Sequence, residues 1–558
     1  MYTKQKLIWD FFRQHPYRTA LSLLLGFIAS ILLILLPISL GKYFDLLFGY
    51  HSYRAHFLDA LPFSFWDTIP QFITFFITIT LLWQVTNFGY RYLTAELGLL
   101  FSHELRTLLF EHQMFIPLSE YDQKGYGKYL LRYSGDLAAI RNYLVSGVLR
   151  FTTDLMLITM ALFGLFLLSP PLLSGLLIGL GGMIIIIYFL NRILYDRSVV
   201  VRNRRSGLLA YVNQRLQAMD TIQAFNRYVP EQKRFADRSQ IVYQAGTKYQ
   251  KIYQLIYTLV PVLLYLTLAL TLFAYAQSSD TLDRLHQGNL LAFVLLFLTV
   301  MPNVRRLLRV TTVWKVGHVS FEKLIRILQL SQINQLPETP FTYKGGAITF
   351  QNLGFSYNGK KYVIKNLNAQ IPPQSGFTFI HGRTGSGKTT LIKLLLALYH
   401  PTEGQILIDG QNIHQVHPKS LRKHITVVSE EFPLLGRTVF EAISYSRKAD
   451  KRPKAQSVLN FLQADLPPDN HLHLDDRIGE LGDRLSKSQI KMLLYARAMI
   501  SNKPIFLIED PFKNLPTAVK NRILLWLNEH RNEKNFLFFT SKQGIAKLLP
   551  QINQTISL

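Results

Sequence analysis

Six apolar stretches, each of about the twenty residues that a helix needs to cross roughly 30 Å of hydrocarbon, crowd into the first 315 positions of this 558-residue chain. They fall near Arg18 to Leu40, Ile69 to Tyr90, Leu149 to Leu168, Pro171 to Asn191, Ile252 to Ala276 and Gly288 to Val310. A hydrophobic share of 49% over this length exceeds what one soluble core absorbs, so more than one domain is expected. Residues 1–330 are read as a six-helix α-helical transmembrane domain.

The charge pattern orients those spans. Leu190 to Lys251 carries 12 Lys/Arg against 4 Asp/Glu, whereas Gly41 to Thr68 has only Lys42 and Arg54 as basic residues. Basic segments stay on the cytoplasmic side, which puts both termini in the cytoplasm of a plasma (inner) membrane protein. The formal net charge of +26 is accounted for by basic residues beside apolar spans and by contact with anionic membrane lipids, without nucleic acid as a partner. With no cysteine, disulfides, thiolate metal sites and cysteine nucleophiles are excluded. Lys4 and Lys6 lead into Leu7, Trp9, Phe11 and Phe12, an amphipathic run read as an interfacial helix and not a cleavable signal.

The long inner connections, Arg91 to Val148 and Arg192 to Lys251, are charged and poor in turn residues, so helices are expected to extend well beyond the bilayer. Ser169-Pro170-Pro171 is read as a tight outer hairpin. Asp154 lies inside span three, where a carboxylate is costly unless it faces a partner or water. With Gln84 and Asn87 of span two it reads either as a substrate contact or as a helix-to-helix hydrogen-bonding group. Pro302 is expected to kink span six, leaving Arg305, Arg306 and Arg309 as headgroup or interface anchors.

Beyond a polar linker over 331–346, residues 347–558 alternate β-rich runs with amphipathic helices, as an α/β domain does. Its decisive string is Gly382-Arg383-Thr384-Gly385-Ser386-Gly387-Lys388-Thr389-Thr390, between the apolar run Phe377 to Ile380 and the helical run Leu391 to Leu398. In that context it reads as a P-loop of a nucleoside-triphosphate-binding domain. The glycines let backbone N–H groups close around phosphate, Lys388 supplies a cation to the β and γ phosphates, and Thr389 can ligate Mg²⁺.

With the six-span layout, these features resemble the ABC half-transporters of the exporter type. Gln214-Arg215-Leu216-Gln217-Ala218-Met219-Asp220-Thr221-Ile222-Gln223-Ala224-Phe225 resembles that family's second coupling helix, and Gln123 to Asp136 resembles the approach to the first. The resemblance implies ATP and Mg²⁺ as cofactors and puts Tyr357 against adenine, with a core tyrosine as the alternative. It sets Glu430 at the Q-loop in place of glutamine. The signature Leu-Ser-Gly-Gly-Gln becomes Leu485-Ser486-Lys487-Ser488-Gln489, without either glycine. Walker B reads Ile505 to Pro511, with Glu509 at the magnesium-organising aspartate and Asp510 at the catalytic glutamate; Ser541 stands at the switch histidine, and the D-loop ends on Pro516. Metal ligation is thereby assigned to Thr389, Glu430 and Glu509, and ATP contact also to Ser486, Lys487, Ser488 and Gln489.

In such proteins each ATP lies between one chain's P-loop and Walker B and the other chain's signature. A homodimer of this chain would hold two doubly altered sites, so the expectation is a degenerate subunit paired with a second half-transporter as a heterodimer, with slow hydrolysis. The alternative is an ATP-gated regulatory membrane protein with little turnover. The spans carry no readable code for the cargo.

Overall fold

The structure, a computed structural model, describes residues 2–48, 68–125, 129–130, 132–168, 170–277, 287–308, 310–330, 337–541, 549 and 554–558. Most of the first outer connection, Ser169 of the outer hairpin, Arg309 and the start of the linker lie outside the described residues. The chain forms two compact units: Met1–Met114 with Tyr126–Leu330, and Phe115–Gly125 with Ser331–Leu558.

The first unit is helical. Short α1 (Lys4–Gln14) leads into α2 (Pro16–Phe48) and α3 (Ile69–Met114). After α4 (Leu118–Lys124), which clusters with the second unit, come α5 (Leu137–Leu144), a wider-turn segment Val145–Leu149, and α6 (Arg150–Leu168). α7 (Pro170–Gln217), α8 (Met219–Ala224), α9 (Tyr228–Gln277), α10 (Gln287–Leu308) and α11 (Val310–Leu328) complete it. Among the described residues, 6 helical runs are long and apolar enough to cross a membrane.

The helices run well past the apolar stretches: α7 and α9 span 48 and 50 residues. Their polar halves are braced where they flank α8, because the Arg215 Nε donates to Glu231 at 2.5 Å. α8 falls inside the string read as the second coupling helix, whereas α4 ends where the string read as the approach to the first begins. Leu7 and Phe11 of α1 are buried, with Phe11 4.9 Å from the Phe101 ring, while Trp9 is exposed. In the spans, where no aqueous partner competes, small and hydroxylated residues let helices approach and hydrogen-bond. Ser22 meets Thr94 at 3.0 Å and Tyr90 meets Thr153 at 2.6 Å. A Cβ at Gly179 would stand 2.2 Å from Thr267, so any side chain there would force α7 and α9 apart.

Arg306, read as a headgroup or interface anchor, pairs with Asp154: its guanidinium grips the carboxylate through Nε and Nη2 at 2.6 and 2.5 Å, which supplies the counter-ion that a carboxylate in a span requires. Gln84 and Asn87 make no side-chain hydrogen bond among the described residues. Pro302 lies inside the continuous helix α10.

The second unit is α/β. Strands β1 (Ile348–Phe355), β2 (Ile364–Ile371), β4 (Glu403–Ile408) and β5 (Gln411–Asn412) form an antiparallel sheet in the order β2-β1-β4-β5. A parallel sheet runs β6-β7-β8-β3-β9, from Ile425–Val428, Ile505–Glu509, Asn535–Thr540, Gly376–His381 and Gln554–Ser557. The parallel sheet is buried on both faces, which explains continuous apolar runs such as Phe536 to Phe539. Alternation still sorts them: Phe536 and Phe538 join one core cluster, Leu537 and Phe539 the other. Each such ring withdrawn from water contributes about 1.5–3 kcal/mol before entropy is counted. Phe341 packs into the second cluster, and Asp409 accepts from the amides of Lys344, Gly346 and Ala347.

Candidate nucleotide-binding site

The P-loop leaves β3 and enters α12 (Lys388–Leu395). Gly385 and Gly387 have φ of +85° and +98°, the left-handed region that only glycine occupies cheaply. A Cβ on Gly382 would come within 2.2 Å of the Ser386 hydroxyl. That hydroxyl is buried with no hydrogen-bond partner among the described residues, and the Lys388 ammonium donates to the carbonyls of Gly382 and Arg383 at 2.8 and 2.9 Å. The loop thus gathers a cation, an unsatisfied hydroxyl and a helix N-terminus, a combination suited to phosphate.

β7 delivers Glu509 to this loop. Its carboxylate accepts from Thr389 on one oxygen and from Ser429 on the other at 2.5 Å. Ser429 is fully buried at the end of β6, the strand beside β7. Asp510, next along, has φ of +41° and its amide is held 2.9 Å from the Phe539 carbonyl. An aspartate in that strained region marks a position fixed by its surroundings. Its carboxylate lies 3.8 Å from the Lys513 ammonium.

Glu430 does not join the Thr389–Glu509 pair. It is exposed, and its Oε1 faces the Asn514 amide at 3.4 Å. Tyr357 stands at the P-loop helix, its hydroxyl 3.0 Å from that of Thr390, with its ring edge-on to Tyr399 and 43% exposed. Arg383 and Thr384 are exposed on the loop. Ser541 follows β8 directly, one residue past Thr540, whose carbonyl accepts from the Gly382 amide at 3.3 Å; its side chain is exposed.

The signature residues form a helix start. Ser486 caps α13 (Lys487–Ser501) by a reciprocal pairing with Gln489, and the hydroxyls of Ser486 and Ser488 lie 3.0 Å apart. Lys487 is exposed. No hydrogen bond joins Ser486 to Gln489 with the P-loop of the same chain among the described residues.

Two further residues of this site carried no role in the sequence reading. Ser429 is one. Lys491 of α13 is the other: only 2% exposed, it donates from Nζ to the Glu509 carbonyl at 2.6 Å. Burial lowers its ammonium to about 8, against the opposing pull of Glu430, Asp510 and Glu509. The available signal was position. Lys491 shares a helical face with the core residues Tyr495 and Ala498, so its charge had to find a partner indoors.

A P-loop on an α/β sheet, fused to six membrane-crossing helices, defines a membrane protein powered or gated by nucleotide. The chain matches the family described as ABC transporter transmembrane region over residues 19–304 and that described as ABC transporter over residues 364–513. It belongs to the ABC transporter family, as a multi-pass, ATP-binding half-transporter with both domains on one chain. It is similar to the ATP-dependent lipid A-core flippase of Mannheimia succiniciproducens, 26% identical over 458 residues that cover 80% of this chain and 77% of the relative. The flippase of Haemophilus influenzae strain 86-028NP is 27% identical over 468 residues, covering 81% and 78%. A solved structure of a bacterial Atm1-family ABC exporter with ATP bound shares the fold at a TM-score of 0.80 and 18% identity, covering 96% of this chain and 92% of that one.

Proposed function

We propose that this chain is the weakly hydrolysing half of an ABC exporter, paired with a second, separately encoded half, with both termini and the ATP-binding domain in the cytoplasm. Glu509 carries this reading: its carboxylate reaches the Thr389 hydroxyl itself and is completed by Ser429. An aspartate would stop one methylene short and leave room for water. The hard oxygen donors of Thr389 and Glu509 suit Mg²⁺, and Thr389 keeps its lone pairs because it donates the proton to Glu509. Bound there, with Glu430 as the further acid assigned by resemblance, Mg²⁺ would neutralise charge on the β and γ phosphates. Lys388, Ser386 and the loop amides would hold the phosphates, and Tyr357 the adenine.

The remaining residues are poor at cleavage. Asp510 is one methylene shorter than the glutamate that holds an attacking water, and a misplacement of about 1 Å costs roughly a hundredfold. Ser541 has no imidazole with which to bridge to phosphate. Lys487 and Ser488 put side chains where a partner's γ-phosphate would meet bare backbone, with the Lys487 charge as partial compensation.

The two altered halves of the site favour a heterodimer over a homodimer, since a partner with an intact signature and glutamate leaves each composite site altered on one side only. A second reading, an ATP-gated regulatory membrane protein, draws on the same cluster: an acid already satisfied by Thr389 and Ser429 suits a domain that holds nucleotide. Vanadate trapping separates the two readings, because trapping requires a completed hydrolysis. Co-expressed with a partner half, the complex is expected to trap labelled nucleotide at one site per pair. Stoichiometric binding with no trapping would leave the regulatory reading in its place.

A further inference from the structure

The Asp154–Arg306 pair borders a cleft of about 360 Å³ between α6, α10 and α11. Its polar wall contains two guanidinium groups and one carboxylate: Arg305, Arg306 and Asp154. Arg306 is committed, gripping Asp154 through two nitrogens and donating to Asn303 at 2.5 Å. Arg305 is not. Its Nε is buried with no hydrogen-bond partner among the described residues, and its guanidinium lies 5.6 Å from the centre of the Tyr257 ring. The lining also includes the apolar side chains of Phe151, Val310 and Val313.

Subtracting the internal ion pair leaves the cleft one positive charge in excess, on a guanidinium whose Nε is unpaired among the described residues, beside apolar surface. A guanidinium in that state is costly to keep dry and matches phosphate or carboxylate oxygens in shape. We propose that this cleft binds an amphiphile through a single anionic group, a phosphate diester or carboxylate held by Arg305, with its apolar portion against Phe151, Val310 and Val313. Asp154 sets the selectivity. By neutralising Arg306 it restricts the cleft to one negative charge and repels a second. The assignment deepens the exporter reading by naming a class of cargo. Its test measures binding alone, so a failure of transport or hydrolysis leaves the outcome here independent.

The full chain in detergent is titrated with phosphatidylglycerol, phosphatidate and phosphatidylcholine, and bound lipid is counted by native mass spectrometry. Wild type is expected to retain phosphatidylglycerol over phosphatidylcholine by about tenfold, the scale of one charge-assisted pair. Arg305→Gln should lose that preference. Asp154→Asn should move the preference towards the more highly charged phosphatidate, a switch that a purely structural ion pair would not produce. Val313→Trp, which fills the cleft without touching its charges, should reduce phosphatidylglycerol retention if Asp154→Asn fails to fold. Competition by glycerol phosphate at millimolar concentration would assign the anion to a soluble source, and its absence to the bilayer. Equal retention of the two lipids by wild type, or an unchanged preference in Arg305→Gln, would overturn the proposal.

Discussion

In the proposed reading, Glu509 and Asp510 have their lengths in the order least suited to hydrolysis: the long acid reaches Thr389 directly, and the short one sits at the position assigned to the attacking water. Exchanging them therefore tests the chemistry without altering net charge. The double variant Glu509→Asp, Asp510→Glu is expected to raise phosphate release by at least about tenfold, part of the hundredfold scale that a 1 Å displacement sets. An unchanged rate would show that acid length is not what limits turnover. The sequence reading assigned Glu509 and Asp510 as substitutions because each landmark occupies a fixed neighbourhood: Pro511 after the acids, a strand before Lys388. It did not reveal what the substituted groups touch. Ser429 and Lys491 were invisible as participants because their partners, the Glu509 carboxylate and carbonyl, are brought to them by strand β7 and not by proximity in sequence.

At the scale of elements, the apolar stretches marked six spans because hydrocarbon imposes a length on them. It imposes none on the helix, so α7 and α9 continue beyond it for as long as their backbones stay paired. The ion pair between α6 and α10 was half legible. Asp154 announced a need for a partner, but which arginine answered depends on helix packing. In the second unit, the end of β5 carries a pH-sensitive contact. His414 lies with its ring 4.6 Å from that of His400, and burial, reinforced by the His400 charge, holds it down at about 4. Its unfolded form takes up a proton near 6.5, so between those values the unfolded chain binds more protons than the folded one. Stability present above pH 6.5 is thus lost as pH falls towards 4. Thermal melts of the full chain should show the ATP-binding unit softening across that window, with a flatter response in His414→Phe; identical pH profiles would remove His414 from the account.

At the scale of the whole molecule, the chain joins a helical unit with a paired interior to an ATP-binding unit, and our proposal is that the second keeps its grip on nucleotide while its cleaving groups are replaced. The segment from Gly382 to Thr390 carries the left-handed glycines Gly385 and Gly387 and a Ser386 hydroxyl with no partner among the described residues, as a phosphate grip would use. In the proposed reading Asp510 and Ser541, at the attacking water and the switch contact, lack the groups for cleavage. The most direct measurement takes one purified sample of the chain alone and records both ATP binding at equilibrium and phosphate release. Saturable ATP binding is expected, abolished by Lys388→Ala, with phosphate release close to that of the variant. Brisk release by the lone chain that disappears in Asp510→Asn would contradict it.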